Sequence, residues 1–248
     1  MILLHASSVV GQETASDQAA ATQDDQSVEK NSDSERNKES EGETKIPKPL
    51  KEYMGREIAR TMSFHGADWL MREEREREER CSMMLSNLGL KRNMTVCDLG
   101  CGNGFHTLQM AKLIGEQGQV LGVDVQPEML ELLRERMEGQ GIENVVPILS
   151  SYHNPRLPRN SVDLILMVDV YHELSHPVQM LDAMKASLKK DGVIVLVEFR
   201  SEDDTVPIKR LHKMSKDQIN KEMQANGLKL VREFDRLPWQ HMMFYGIE

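Results

Sequence analysis

The sequence predicts an α/β fold in which a mostly parallel sheet is covered by helices on both faces. Three observations carry that reading. From Met94 to the C-terminus, short apolar runs alternate with segments of helical period, the pattern of βαβ units with right-handed crossovers. Two of the runs, Ile165-Leu166-Met167-Val168 and Val193-Ile194-Val195-Leu196-Val197, have no polar face, as strands buried on both sides require. The loop Gly100-Cys101-Gly102-Asn103-Gly104 joins the first of these strands to a helix.

The elements follow in order. Met94 to Leu99 reads as a strand and Asn103 to Ile114 as its helix, with Leu108, Ala111 and Ile114 toward the sheet. Gln119 to Val125 is the second strand. Pro127 opens the next helix, which runs to about Glu138. Val145 to Leu149 and Val162 to Val170 are the third and fourth strands. Pro177 to Leu188 is a helix closed by Lys189 and Lys190, and Gly192 to Phe199 is the fifth strand. Ser215 is placed to cap a helix to Ala225, with Gln218 at the capping-box position. Leu228 to Leu237 and Gln240 to Gly246 are two final strands joined through Pro238-Trp239. Two consecutive strands break the alternation, so one of them runs antiparallel.

Ahead of this domain, residues 47–90 read as an N-terminal helical cap. Tyr53, Ile58, Met62, Trp69 and Leu70 recur at helical intervals from Lys51. The run Arg72 to Arg80 mixes signs at spacings that pair on a solvated helix face. Residues 1–46 read as a disordered acidic tail. Ten acids and four bases between Gly11 and Lys45 contribute −6 of the chain's net −9. Almost no large apolar side chains are present there to offset the ordering entropy.

Composition narrows the function. The 248 residues suit one domain with an appendage, and 39% hydrophobic residues suffice for a core. No basic stripe tracks a phosphate backbone, so nucleic acid is not an expected partner. No apolar run is long enough to span a membrane. Cys81, Cys97 and Cys101 form neither a disulfide framework nor a zinc pattern, and no metal site is expected. A cytoplasmic location follows. Residues 1–11 keep an alternative open, a remnant of an export signal, although the basic n-region is missing.

In an open α/β sheet, ligands sit at the carboxyl ends of the strands. The glycine loop lies there, but nicotinamide and flavin enzymes use a similar loop. Asp98, two residues before Gly100, separates the cofactors. A carboxylate there opposes the two phosphates of a dinucleotide, whereas it suits the cationic sulfonium and amino groups of S-adenosylmethionine. Asp124 closes the second strand, where an acid accepts ribose hydroxyls. That feature is shared by adenosylmethionine and NAD.

Val96-Cys97-Asp98-Leu99-Gly100-Cys101-Gly102-Asn103-Gly104 resembles the first motif of class I S-adenosylmethionine-dependent methyltransferases. Val120-Leu121-Gly122-Val123-Asp124 resembles their second, and Asp163 to Val170 their fourth strand. The resemblance covers roughly residues 80 to 248. It implies a Rossmann-like seven-stranded sheet with an antiparallel last strand over 91–248, and S-adenosyl-L-methionine as cofactor. It further implies Asp98, Gly100, Cys101, Gly102, Asn103 and Gly104 around the methionine moiety, Asp124 on the ribose, and Val125 and Gln126 beside the adenine. Many members place an acid after the third strand. Here the place reads Ser150-Ser151-Tyr152-His153, so Ser150 and Ser151 would have to serve the adenine.

Methyl transfer is an in-line displacement for which alignment supplies most of the rate. A base is needed only when the nucleophile arrives protonated. Tyr171, His172 and Glu173 after the fourth strand are the catalytic candidates, with Asp169 orienting the methionine end of the cofactor. His172 titrates near neutral pH, but His172 and Glu173 equally suit a loop-holding role. Tyr53, His65, Trp69, His106, Trp239 and His241 are further residues within reach of the cleft. Asp-Val-Tyr-His differs from the Asn/Asp-Pro-Pro-Tyr of amino- and base-directed enzymes. The expected function is methylation of a small molecule. The alternatives are an NAD(P)-dependent oxidoreductase and a catalytically silent cofactor-binding protein. Neither the acceptor nor the oligomeric state is written in the sequence.

Overall fold

The computed structural model describes residues 46–248. The expected acidic tail and export-signal remnant therefore lie outside the described residues, apart from Ile46. A hairpin opens the described chain, β1 (Glu52–Tyr53) pairing antiparallel with β2 (Arg56–Glu57). Its turn holds Met54 and Gly55 at φ of 49° and 99°. That left-handed turn breaks the helix expected from Lys51 onward. A 3-10 helix over Phe64–Met71 follows, capped by the Ser63 side chain.

Two short helices come next, α1 (Arg75–Glu79) and α2 (Cys81–Asn87). Arg80, at φ 50°, separates them. The charge run is not a solvated helix face. Arg75 and Glu79 are buried, and Arg75 Nε donates to Glu79 Oε2 at 2.7 Å. Arg72 pairs with the same carboxylate. A carboxylate held between two guanidiniums can be buried because its lone pairs are satisfied.

The central sheet uses β3 (Thr95–Leu99), β4 (Gln119–Asp124), β5 (Val145–Leu149), β6 (Val162–Val168), β7 (Leu188–Arg200), β8 (Lys213–Met214), β9 (Leu228–Phe234) and β10 (Gln240–Ile247). Between them run α3 (Thr107–Ile114), α4 (Pro127–Gln140), α5 (Pro177–Ser187) and α6 (Lys216–Ala225). The strand order is β5-β4-β3-β6-β7-β10-β9, with β8 added to β7. Strands β5 to β7 are parallel. β10 runs antiparallel to both β7 and β9. This is the expected Rossmann-like sheet with its reversed last strand, plus the two-residue β8.

The unbroken apolar runs are explained by two cores. Ile165 and Met167 of β6 pack on one face with Leu181, Met184, Ile219 and Met223 of α5 and α6. Their neighbours Leu164 and Leu166 pack on the other with Met84, Leu108 and Leu133 of α2, α3 and α4. Alternate residues of one strand thus fill opposite cores.

Several boundaries differ from expectation. α3 begins at Thr107 rather than Asn103, because Gly104 at φ 83° cannot start a right-handed helix. β7 begins at Leu188, and Lys189 pairs with Asp163 at 2.6 Å instead of closing α5. At α6 only half of the capping box forms. Ser215 Oγ accepts from Gln218 N–H at 3.1 Å, while the Gln218 side chain donates to Glu222 at 2.7 Å. No helix among the described residues is long and apolar enough to cross a membrane.

Candidate active site

At the carboxyl ends of β3, β4, β6 and β7 opens a cavity of about 460 Å³, within the range of small-molecule sites. Its first wall is the glycine loop. Gly100 N–H and Cys101 N–H both donate to Val123 O, at 2.8 and 3.0 Å, which tucks the loop against β4. Gly100 has φ of 75°, and a Cβ there would stand 2.5 Å from Val170 Cγ2. A Cβ on Gly102 would stand 2.7 Å from Leu70 Cδ1. Backbone therefore approaches both the cavity and the N-terminal segment more closely than any side chain permits.

Asp124 lines the second wall. Its Oδ2 accepts from Gly102 N–H and its Oδ1 from Gln126 N–H, each at 2.9 Å. Burial raises its pKa and those backbone donors oppose the rise. Val125 N–H also helps to hold the carboxylate, and with about four lone-pair sites it keeps acceptor capacity to spare. Val125, Gln126, Ser150 and Tyr152 continue this wall. The Gln126 amide clasps the N-terminal segment, donating to Met62 O at 2.9 Å and accepting from Phe64 N–H at 2.8 Å.

The third wall follows β6. Asp169 adopts φ of 56° and lines the cavity. Its Oδ2 accepts from Gln240 Nε2 at 2.7 Å, while its buried Oδ1 has no partner among the described residues. Burial holds its pKa well above the usual carboxylate range, and nearby Glu79 and Glu198 add to that. His172 is buried, with Nδ1 2.6 Å from Glu198 Oε2 and Nε2 3.0 Å from His212 Nδ1. Burial pulls its pKa down, but the Glu198 and Glu173 carboxylates together outweigh it, so the net shift is upward. Glu173 Oε1 accepts from Met62 N–H at 3.2 Å, and burial pushes its pKa up to about 7. His172 Nε2, His212 Nδ1 and a Glu173 oxygen all lie within 4.8 Å of one another.

The structure thus brings Gly100, Gly102, Asp124, Val125, Gln126, Ser150, Asp169, His172 and Glu173 to one cavity. Cys101, Asn103, Gly104 and Ser151 lie outside its wall. So does Asp98, whose Oδ2 accepts from Thr107 Oγ1 at 2.6 Å while burial raises its pKa to about 6. Tyr171 is turned into the core, its hydroxyl donating to Glu222 at 2.8 Å beneath the Arg56 guanidinium. Trp69 does reach the cavity. Tyr53, His106 and His241 are spent on Asn226, Arg75 and Glu202, and Trp239 lies tilted beside Phe199, ring centroids 6.5 Å apart.

Sequence reasoning missed Arg75, Glu198 and His212. Glu198 left a signal, a lone acid ending the apolar run of β7 at the ligand edge. Arg75 was hidden in a charge run, and His212 comes from a distant 3-10 turn over Arg210–His212.

The acceptor oxygen of Asp169, the spare acceptor capacity of Asp124 and the two glycines at the cavity wall suit an adenosine ligand with a cationic end. Known proteins agree. Residues 90–242 match the family model described as "Methyltransferase domain". A ubiquinone/menaquinone biosynthesis C-methyltransferase of Azotobacter vinelandii is 30% identical over 112 residues, 45% of this chain and 44% of that one. A protein-L-isoaspartate O-methyltransferase of Methanococcoides burtonii is 29% identical over 116 residues, 46% of this chain and 54% of that one. The chain therefore spans about half the length of these curated relatives. A solved S-adenosylmethionine-dependent methyltransferase from Aquifex aeolicus superposes with a TM-score of 0.71 at 26% identity, covering 76% of this chain and 100% of that one. These likenesses overturn the oxidoreductase alternative. The chain belongs to the class I methyltransferase family, whose cofactor is S-adenosylmethionine.

Proposed function

We propose that the chain methylates a small, largely apolar acceptor carrying an ionisable hydroxyl, with His172 taking the acceptor's proton. One observation carries this reading. His172, oriented by Glu198, shares a single cavity with the glycine loop, Asp124 and Asp169. Bound S-adenosylmethionine supplies a methyl group activated by a sulfonium.

The chain's residues would do the rest. Asp124 would accept the ribose hydroxyls, and Asp169 Oδ1 the cofactor's amino group. Arg75, in the same wall, would face the carboxylate. Gly100, Cys101, Gly102, Asn103 and Gly104 keep the backbone close, and Asp98 stiffens the loop through Thr107. Val125, Gln126, Ser150 and Ser151 would serve the adenine. A proton held on Nδ1 by Glu198 leaves Nε2 as the basic atom. Leu174, Met180, Phe199 and Ile208 line the acceptor side, favouring an apolar molecule over a nucleic acid. The cysteines are free and buried, which fits the cytoplasm.

Calorimetry with S-adenosylhomocysteine and NADH, followed by turnover on a panel of phenols and enols, tests the reading. Adenosylhomocysteine should bind, and turnover should rise with pH as His172 loses its proton, above the 6.5 usual for histidine. Binding of NADH alone would sink the assignment. Adenosylhomocysteine binding without any turnover would reduce the protein to a cofactor-binding role.

A further inference from the structure

We propose that His172, Glu173 and His212 form a binding site for a divalent ion of the zinc class, and that the ion takes the oxygen of a phenol or enol acceptor. The acceptor half of this inference rests on the methyltransferase reading; the metal half does not.

The donor set is two imidazoles and a carboxylate, a combination that suits zinc and its neighbours in the first transition row. Zinc holds nitrogen at about 2.0–2.1 Å and oxygen at about 2.0–2.2 Å, so tetrahedral neighbours stand roughly 3.3 Å apart. Here the two nitrogens are 3.0 Å apart. Glu173 Oε1 stands 3.9 Å from His172 Nε2 and 4.0 Å from His212 Nδ1. These separations bracket the required one, so shifts of under about 1 Å would close the triad on an ion.

The support behind the triad is of the kind metal sites use. Glu198 Oε2 lies 2.6 Å from His172 Nδ1 and is itself fixed by accepting from Tyr171 N–H at 2.8 Å. A carboxylate on the far nitrogen sets the tautomer and ring plane and leaves the near lone pair for the ion. Glu198 is fully buried within an apolar strand, a costly position unless it serves such a partner. His212 is a third exposed, which gives the ion an entry path. All three ligands line the cavity, so three protein ligands leave a fourth position open toward it. An acceptor hydroxyl entering there would give its oxygen lone pair to the ion. Its O–H bond breaks and the proton leaves to water, because a bound cation lowers the pKa of the oxygen it holds; with the ion bound, His172 Nε2 is a ligand and the ion replaces it in deprotonating the acceptor.

The expectation of no metal came from the cysteines and from pairs close in sequence. His212 lies forty residues beyond His172, out of reach of any spacing rule.

The test uses the full chain, stripped with a chelator and titrated with Zn²⁺ by calorimetry and with Co²⁺ by visible absorption. One ion per chain should bind, cobalt giving the intense bands of a four- or five-coordinate site. His212→Ala and Glu173→Gln should each weaken binding at least about tenfold, and Glu198→Gln by about 10–100-fold. All three should retain adenosylhomocysteine affinity within about threefold, which shows that they fold. Catechol should alter the cobalt spectrum. No saturable binding, or equal affinity in wild type and His212→Ala, overturns the metal site. An unchanged spectrum with catechol overturns the acceptor role. Metal uptake without adenosylhomocysteine binding would sink the methyltransferase reading and leave the site standing. The converse would sink the site alone.

Discussion

The two halves of the cavity are built by different means. The β3–β4 half is made of backbone contacts between two adjacent strands and the loops that follow them. Gly100 and Cys101 bond to Val123, and Gly102 and Gln126 bond to Asp124. The β6–β7 half is made of charged side chains that meet across the chain. His172 pairs with Glu198 26 positions on, Tyr171 with Glu222 51 positions on, and Arg56 with Glu222 across 166. One half leaves no room for a Cβ at Gly100, 2.5 Å from Val170 Cγ2; the other depends on buried polar partners being present. The difference fits a constant cofactor on one side and an acceptor particular to this protein on the other.

The sharpest break in that comparison is Glu198→Ala. It strips His172 and the Tyr171 amide of their acceptor at once. Loss of a positioned general base costs about 10²–10⁴ in rate, so turnover should fall by that order while adenosylhomocysteine affinity stays within a few-fold. Steady-state kinetics beside calorimetry separates the two. Equal losses in both would mean that the halves are not independent.

A smaller effect concerns stability and its dependence on pH. Burial lifts Glu173 from 4.5 to about 7, so the native state holds a proton that the unfolded chain releases. Stability should then fall as pH rises between those values, by at most about 3 kcal/mol. Glu173→Gln keeps the acceptor for Met62 N–H and removes the titration. With metal chelated, the variant should be more stable than wild type at pH 8 and not at pH 4. Urea melts at both values check this, and a gain confined to low pH would refute it.

Smaller again is Asp124→Ala, which removes the acid at the end of β4. Cofactor affinity should drop at least tenfold, about 1.4 kcal/mol, with the His172 pH profile unmoved. Unchanged adenosylhomocysteine affinity by calorimetry would remove Asp124 from the site.

Legibility followed the same division. The strands from β3 onward, the loop and Asp124 were readable because each is fixed by neighbours in sequence or by a period of two or 3.6 residues. Residues 47–90 were not. The spacing of Tyr53, Ile58 and Met62 fits a helix, yet two left-handed residues, Met54 and Gly55, fold the segment into a hairpin. Glu79 looked solvent-facing among its charged neighbours, yet it is buried between Arg72 and Arg75. Pairing that depends on tertiary partners leaves no periodic trace. Glu198 lay between these cases, visible as a charge in an apolar strand but without a partner named by any spacing.

The gentlest test asks how far the backbone-built half extends. Ser150 and Ser151 follow β5, where the motif resemblance leads to the expectation of an acid. Only Ser150 lines the cavity, its N–H held by Asp124 O at 2.9 Å. Ser151 Oγ is engaged with His153 Nδ1 at 3.2 Å and Asn154 O at 3.3 Å. Ser150→Ala should therefore weaken adenosylhomocysteine by a few-fold, the worth of one neutral hydrogen bond of roughly 1 kcal/mol. Ser151→Ala should change it less than about twofold, since it removes only a contact internal to the turn. If the two serines exchange ranks in calorimetry, the adenine is recognised by the turn after β5 rather than by the strand end. The boundary between the two halves would then have to be redrawn one residue further along the chain.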